Sequence, residues 1–150
     1  MNIILASGSP TRKQILEDSG VIFEVVVRPI DEASIKSAMI QEGASKLSIV
    51  STLAELKSIK VSSETPGLVI GADQIMVFDG AIYDKPKTIE EARERLMAIR
   101  NQTHYLMGSV VVSEGGVSVW RHSSKVELKA RSFTDKFIDN YINQEGEALL

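Results

Sequence analysis

The sequence predicts a mixed fold of strands and helices, α/β or α+β, in one domain spanning residues 1–150. Three observations carry that prediction. The chain opens strand–helix–strand. Two later segments read as hairpins around Asp79-Gly80 and Gly115-Gly116. The length suits one core, and no internal repeat or linker divides it.

Each element has a local reason. Asn2 to Ala6 reads as a short buried strand because Ile3, Ile4 and Leu5 are consecutive. Ser9-Pro10 starts a helix: serine caps it, and proline suits a first position where its missing N–H costs nothing. That helix runs to about Ser19 and stops at Gly20. Ile22 to Val27 is β-branched and reads as a second strand, ended by Pro29. Ser34 to Glu42 is a helical candidate closed by Gly43. From Ala44 to about Val61, Leu47, Val50, Leu53, Ala54 and Val61 recur at helical spacing. Leu68 to Ile70 forms a compact strand leading into Gly71-Ala72-Asp73, and Ile75 to Phe78 pairs with Ala81 to Tyr83. Thr88 and Glu91 have capping-box spacing before a helix to about Arg100. Tyr105 to Val112 and Val117 to Lys129 form a long antiparallel pair, and Thr134 caps a last helix through Tyr141.

Composition narrows the function classes. Apolar residues make up 43% and charged residues 25%, ordinary globular values, so neither disorder nor a fibrous repeat is expected. No apolar run spans a bilayer, and the start lacks the basic flank of a signal peptide. The expected address is the cytoplasm, without membrane partners. The chain has no cysteine, which removes disulfides, cysteine-based zinc sites and a cysteine nucleophile. A net charge of −3 gives no footprint for polymeric nucleic acid, so positive charge toward an anionic substrate must be local.

Four constellations carry candidate chemistry. Ser7-Gly8-Ser9-Pro10-Thr11-Arg12-Lys13 passes from a strand to a helix start, where free N–H groups and the dipole favour an anion. It is not a P-loop, because the glycine spacing and Gly-Lys-Ser/Thr ending are absent. Asp73, just past a buried strand, is placed at a sheet rim and can hold a hard metal or deprotonate water. Asp31-Glu32 supplies either a second metal ligand or the acidic start of a helix. Lys57 and Lys85 are point charges suited to phosphate. Each feature also has a plain structural reading: a capped helix, a turn aspartate, a snorkelling lysine, a solvated loop charge. His104 and His122 match no zinc spacing, and Trp120, Tyr83 and Phe133 are read as scattered. Together, hydroxyl and basic groups with carboxylates describe metal-assisted phosphate-ester or anhydride hydrolysis.

The order of these segments resembles the Maf family over essentially the whole chain. The resemblance rests on Leu5 to Arg12, Asp31-Glu32, Leu53 to Lys57, Ile70 to Gln74, Asp84-Lys85-Pro86, Glu91 to Leu96 and Phe133 to Tyr141. It implies an inosine triphosphate pyrophosphatase-like fold, an elongated mixed sheet flanked by helices with a cleft between two lobes. It implies hydrolysis of a nucleoside triphosphate to the monophosphate and pyrophosphate with a divalent cation, Mg or Mn. Ser7, Ser9, Arg12 and Lys13 would then hold phosphates, and Lys57 and Lys85 would neutralise them. Glu32 would help bind the metal. Asp73 would accept a proton from the attacking water, or hold the metal that positions it. A homodimer is also implied.

The sequence departs from the family pattern at named positions. Thr11 replaces a usual arginine and bears on specificity. Gln74 replaces a frequent threonine and looks like the branch acting on 7-methyl-GTP. Asp84 replaces a usual glycine before Lys-Pro. Family members continue beyond the position of Leu150, so a missing C-terminal segment is expected. The alternative expectation is a nucleotide-binding regulator of cell division that does not hydrolyse. A purely structural domain would leave Ser7, Lys57, Asp73 and Lys85 dispersed.

Overall fold

The computed structural model describes residues 1–149, and Leu150 lies outside the described residues. The strands are β1 (Ile3–Leu5), β2 (Glu24–Val25), β3 (Leu68–Phe78), β4 (Ala81–Tyr83), β5 (Thr103–Glu114) and β6 (Val117–Lys129). The helices are α1 (Pro10–Asp18), α2 (Glu32–Gln41), α3 (Lys46–Ser62), α4 (Ile89–Ile99) and α5 (Asp135–Glu145). The strands join one mixed sheet in the order β2-β1-β3-β5-β6, with β4 on β3. β1 runs parallel to β2 and β3, while β4 is antiparallel to β3. The expected α/β class is therefore found. No helix among the described residues is long and apolar enough to cross a membrane.

Two compact units divide the chain. The first comprises Met1–Gln74 with Met107–Ser124, and the second Ile75–Leu106 with Lys125–Leu150. In the first unit, Ile4, Ala6, Val69 and Val61 form a buried cluster joining β1, β3 and α3. α3 is the best-buried helix, with Ile49, Val50, Leu53, Ala54 and Val61 inside. Ser58 on α3 shares a 2.7 Å hydrogen bond with Ser113 on β5, both fully buried. By contrast, α1 and α2 have no buried residue. In the second unit, α4 and α5 pack together, tied by Arg93 to Asp139 at 3.0 Å.

Several boundaries differ from expectation for physical reasons. The second strand shrinks to Glu24–Val25, because β1 offers it only Ile4 and Leu5 as partners. Ile22, outside that ladder, is 93% exposed. α2 begins at Glu32 rather than Ser34, because Asp31 caps it through the Ser34 N–H at 3.1 Å. α5 extends to Glu145, and Phe133 is not isolated: it stacks on Phe137, which stacks on Tyr141. The two hairpin turns are as expected. Asp79 (φ 47°) and Gly80 (φ 74°) both adopt positive φ, as do Gly115 and Gly116, the geometry of a turn that matches strand twist.

The largest correction concerns Asp73. It does not follow a strand; it lies within β3, which runs without interruption from Leu68 to Phe78. β1 ends at Leu5, opposite Ile70, so β3 outruns its neighbour and reaches Asp73 beyond that end. The expected rim exists, but it is the end of β1.

Candidate active site

The site grows from the C-terminal end of β1. Ser9 caps α1, its hydroxyl accepting the Arg12 N–H at 3.4 Å, and Pro10 occupies the first turn. Ser7 is buried, and its hydroxyl accepts from the Arg12 guanidinium at 2.9 Å and the Ser9 N–H at 3.3 Å. The loop thus folds its own arginine back over the helix start, where anions are favoured. Thr11 is exposed. Lys13 turns away, lying 3.6 Å from Glu17 one helical turn along, so it does not join this cluster.

Beside this loop lies a three-residue charge cluster. The Lys57 ammonium donates to an Asp73 carboxylate oxygen at 2.7 Å and lies 3.0 Å from a Glu32 oxygen. The Lys57 side chain is only 15% exposed and that of Asp73 10%, so Lys57 does not snorkel into water. The adjacent carboxylates Asp31 and Glu32 take different roles. Asp31 caps α2, and its two hydrogen bonds from Ser34 hold its pKa below the ordinary value. Glu32, the first residue of α2, reaches Lys57.

Asp73 is electrostatically poised. Burial raises its pKa, as does the Glu32 charge; the Lys57 hydrogen bond and charge, and the Arg12 charge, oppose the rise without cancelling it. A carboxylate with a raised pKa is a stronger base at neutral pH than a solvated one. Glu32 and Asp73 are hard oxygen donors, the type that magnesium and manganese accept. Among the described residues no group of three His, Asp or Glu side chains gathers to hold a metal alone.

A cavity of about 310 Å³ adjoins Arg12 and Asp73 within the same unit. Its walls include Ile15 and Leu16 of α1, exposed Gln74 of β3, and Gly108, His122 and Ser124 from β5 and β6. Sequence reading missed this hairpin wall, because no local motif marks it and only sheet pairing brings it there. Lys85 is exposed in the loop after β4, in the second unit. The geometry thus brings Ser7, Ser9 and Arg12 together at the helix start, and Glu32, Lys57 and Asp73 beside it.

Residues 2–149 match the family described as Maf-like protein. The chain is 43% identical over 148 residues to a nucleoside triphosphate pyrophosphatase of Caulobacter vibrioides, covering 99% of this chain and 74% of that protein. It is 41% identical over 151 residues to the nucleoside triphosphate pyrophosphatase of Granulibacter bethesdensis, covering 100% and 77%. Among solved structures, a HAM1 protein from Coxiella burnetii superimposes with a TM-score of 0.57 at 12% identity, covering 89% of this chain and 74% of that one. At that identity the likeness establishes the fold alone.

Proposed function

The chain belongs to the Maf-like protein family, and on that premise we propose that it is a nucleoside triphosphate pyrophosphatase, releasing pyrophosphate and leaving the nucleoside monophosphate. The observation that carries this reading is the pairing of Lys57 with Asp73 and Glu32 beside the α1 start. It supplies a largely buried cation for phosphate charge and two carboxylates for a metal and a water, which an unassisted anion site lacks.

In this reading Ser7, Ser9 and Arg12 receive phosphate oxygens at the helix start. Lys57 leaves part of its contact with the carboxylates to neutralise the polyphosphate. Asp73 either takes the proton of the attacking water, the role its raised pKa suits, or joins Glu32 in holding the cation that positions that water. Glu32 would hold a divalent cation, with most remaining ligands coming from phosphate and water, as is usual for magnesium. That cation would withdraw charge from the phosphates and favour a nucleophilic water. Lys85 is a further polyphosphate contact by its match to the family pattern. Lys13 is the least suited of the basic residues, given its pairing with Glu17. Gln74 and Thr11 are the candidate specificity positions. The place of Gln74 on the cavity beside Asp73 supports a contact toward the nucleoside, with 7-methyl-GTP a candidate substrate.

The test is pyrophosphate release from a panel of ITP, UTP, dTTP and 7-methyl-GTP. Asp73→Asn is expected to lower turnover about a hundredfold or more on the best substrate, the loss typical of a general base. A chelator should stop the reaction, and added magnesium or manganese should restore it. Unchanged turnover in Asp73→Asn would sink the reading.

A further inference from the structure

Within the second unit, helix α4 grips the main chain on both sides of Lys85-Pro86. The Arg95 guanidinium donates to the Asp84 carbonyl and, at 2.9 Å, to a carboxylate oxygen of Glu91 one turn back. The other Glu91 oxygen accepts the Lys87 N–H at 2.8 Å. The same guanidinium lies 5.2 Å from the centre of the Tyr83 ring, at the end of β4. Arg95 is 17% exposed at its side chain, well shielded for an arginine.

The two residues therefore form one device. Glu91 has the spacing of a capping-box residue, but it does not reach back to the cap residue Thr88; it reaches one residue further, to Lys87. Arg95 holds the residue before Lys85, Glu91 holds the residue after Pro86, and the pair bond each other. Pro86 contributes a fixed φ between the two grips. A lysine carried on such a loop has its backbone ordered before any anion arrives, so binding pays less conformational entropy.

We propose that the Glu91–Arg95 pair is a positioning device for Lys85, ordering the loop that carries its ammonium. This rests on the reading of Lys85 as a polyphosphate contact. Neither Glu91 nor Arg95 touches the substrate; both act through the loop. Lysine at position 95 is a poor substitute, because a compact ammonium does not reproduce a planar fork lying over a ring while donating in two directions.

The experiment is a double-mutant cycle on the full chain. KM and kcat are measured for the best-hydrolysed triphosphate of the panel, and binding is measured with its α,β-methylene analogue. Lys85→Ala and Arg95→Met are each expected to raise KM about tenfold with kcat changed by less than about threefold, as for loss of one charge-assisted phosphate contact. Arg95→Lys should recover only part of that loss. The Lys85→Ala/Arg95→Met double variant should bind no worse than Lys85→Ala alone, because Arg95 acts only through Lys85. A role in folding alone would instead lower the melting temperature and cost the same whether or not Lys85 is present. Additive losses, or an Arg95→Met enzyme with unchanged KM while Lys85→Ala is impaired, overturn the positioning role alone. A silent Lys85→Ala overturns the reading of Lys85 itself, and the positioning role with it.

Discussion

Asp73 is a largely buried carboxylate whose pKa stays above its ordinary value despite a lysine at 2.7 Å. Burial outweighs the pairing, and the proximity of Glu32 adds to it. The consequence for stability has a definite sign. A folded pKa above the unfolded value near 3.8 means that this group's contribution is complete below that value. It is lost as pH rises through the folded pKa. Above that pKa the metal-free protein therefore holds an ionised group at a cost. Asp73→Asn, in chelator, should melt at a higher temperature than the parent at pH 7, the gain shrinking as pH is lowered toward 4. A variant less stable than the parent at pH 7 would mean that the Lys57 bond outweighs burial. Stability gained where activity is lost is the usual signature of a residue kept for chemistry.

At the scale of elements, the site depends on how closely α3 lies on β3. A Cβ at Gly71 would meet the Ala54 carbonyl, and would come within 2.7 Å of the Ser58 nitrogen and 2.8 Å of its Cβ. Most of those atoms are helix backbone, so the helix must move as a body. Lys57 lies between Ala54 and Ser58, and moving that stretch draws its ammonium from Asp73. Gly71→Ala is accordingly expected to cost about 1–3 kcal/mol, the range of an overpacked core. It should also reduce turnover more than a surface change of equal stability cost. Denaturant melts paired with pyrophosphate assays check both parts. The glycine was legible in the sequence only as part of a motif; its reason is an approach between segments that no local pattern records. The same division runs through the chain. Ser9-Pro10, Thr88 and Asp79-Gly80 specify their own caps and turns, because the physics involved spans three or four residues. The unbroken course of β3 through Gly-Ala-Asp and the split of Asp31 from Glu32 depend on partners elsewhere in the fold. The residue types of the site could therefore be read early, and their pairings could not.

Across the whole molecule, burial is unevenly shared among the elements that carry the site. α3 holds Lys57 on a helix with eight buried residues, whereas α1 and α2, which carry Arg12 and Glu32, have none. Local opening free energy follows buried contact, so α1 and α2 belong to the least protected part of the first unit. Their anion-facing groups are also the ones that gain new partners when a triphosphate and a cation arrive. Ligand binding should thus order these two helices far more than it orders α3. Amide hydrogen exchange tests this directly. Without ligand, amides in Pro10–Asp18 and Glu32–Gln41 should exchange much faster than those in Lys46–Ser62. With magnesium and an α,β-methylene triphosphate, which cannot be cleaved at the proposed bond, the first two segments should slow by about tenfold or more while the third changes little. Equal protection of all three helices without ligand would break the link between burial and mobility drawn here. Unchanged exchange in α1 alone would remove the Ser7–Arg12 loop from the phosphate site and leave the charge cluster of Lys57, Asp73 and Glu32 to bind the substrate without it.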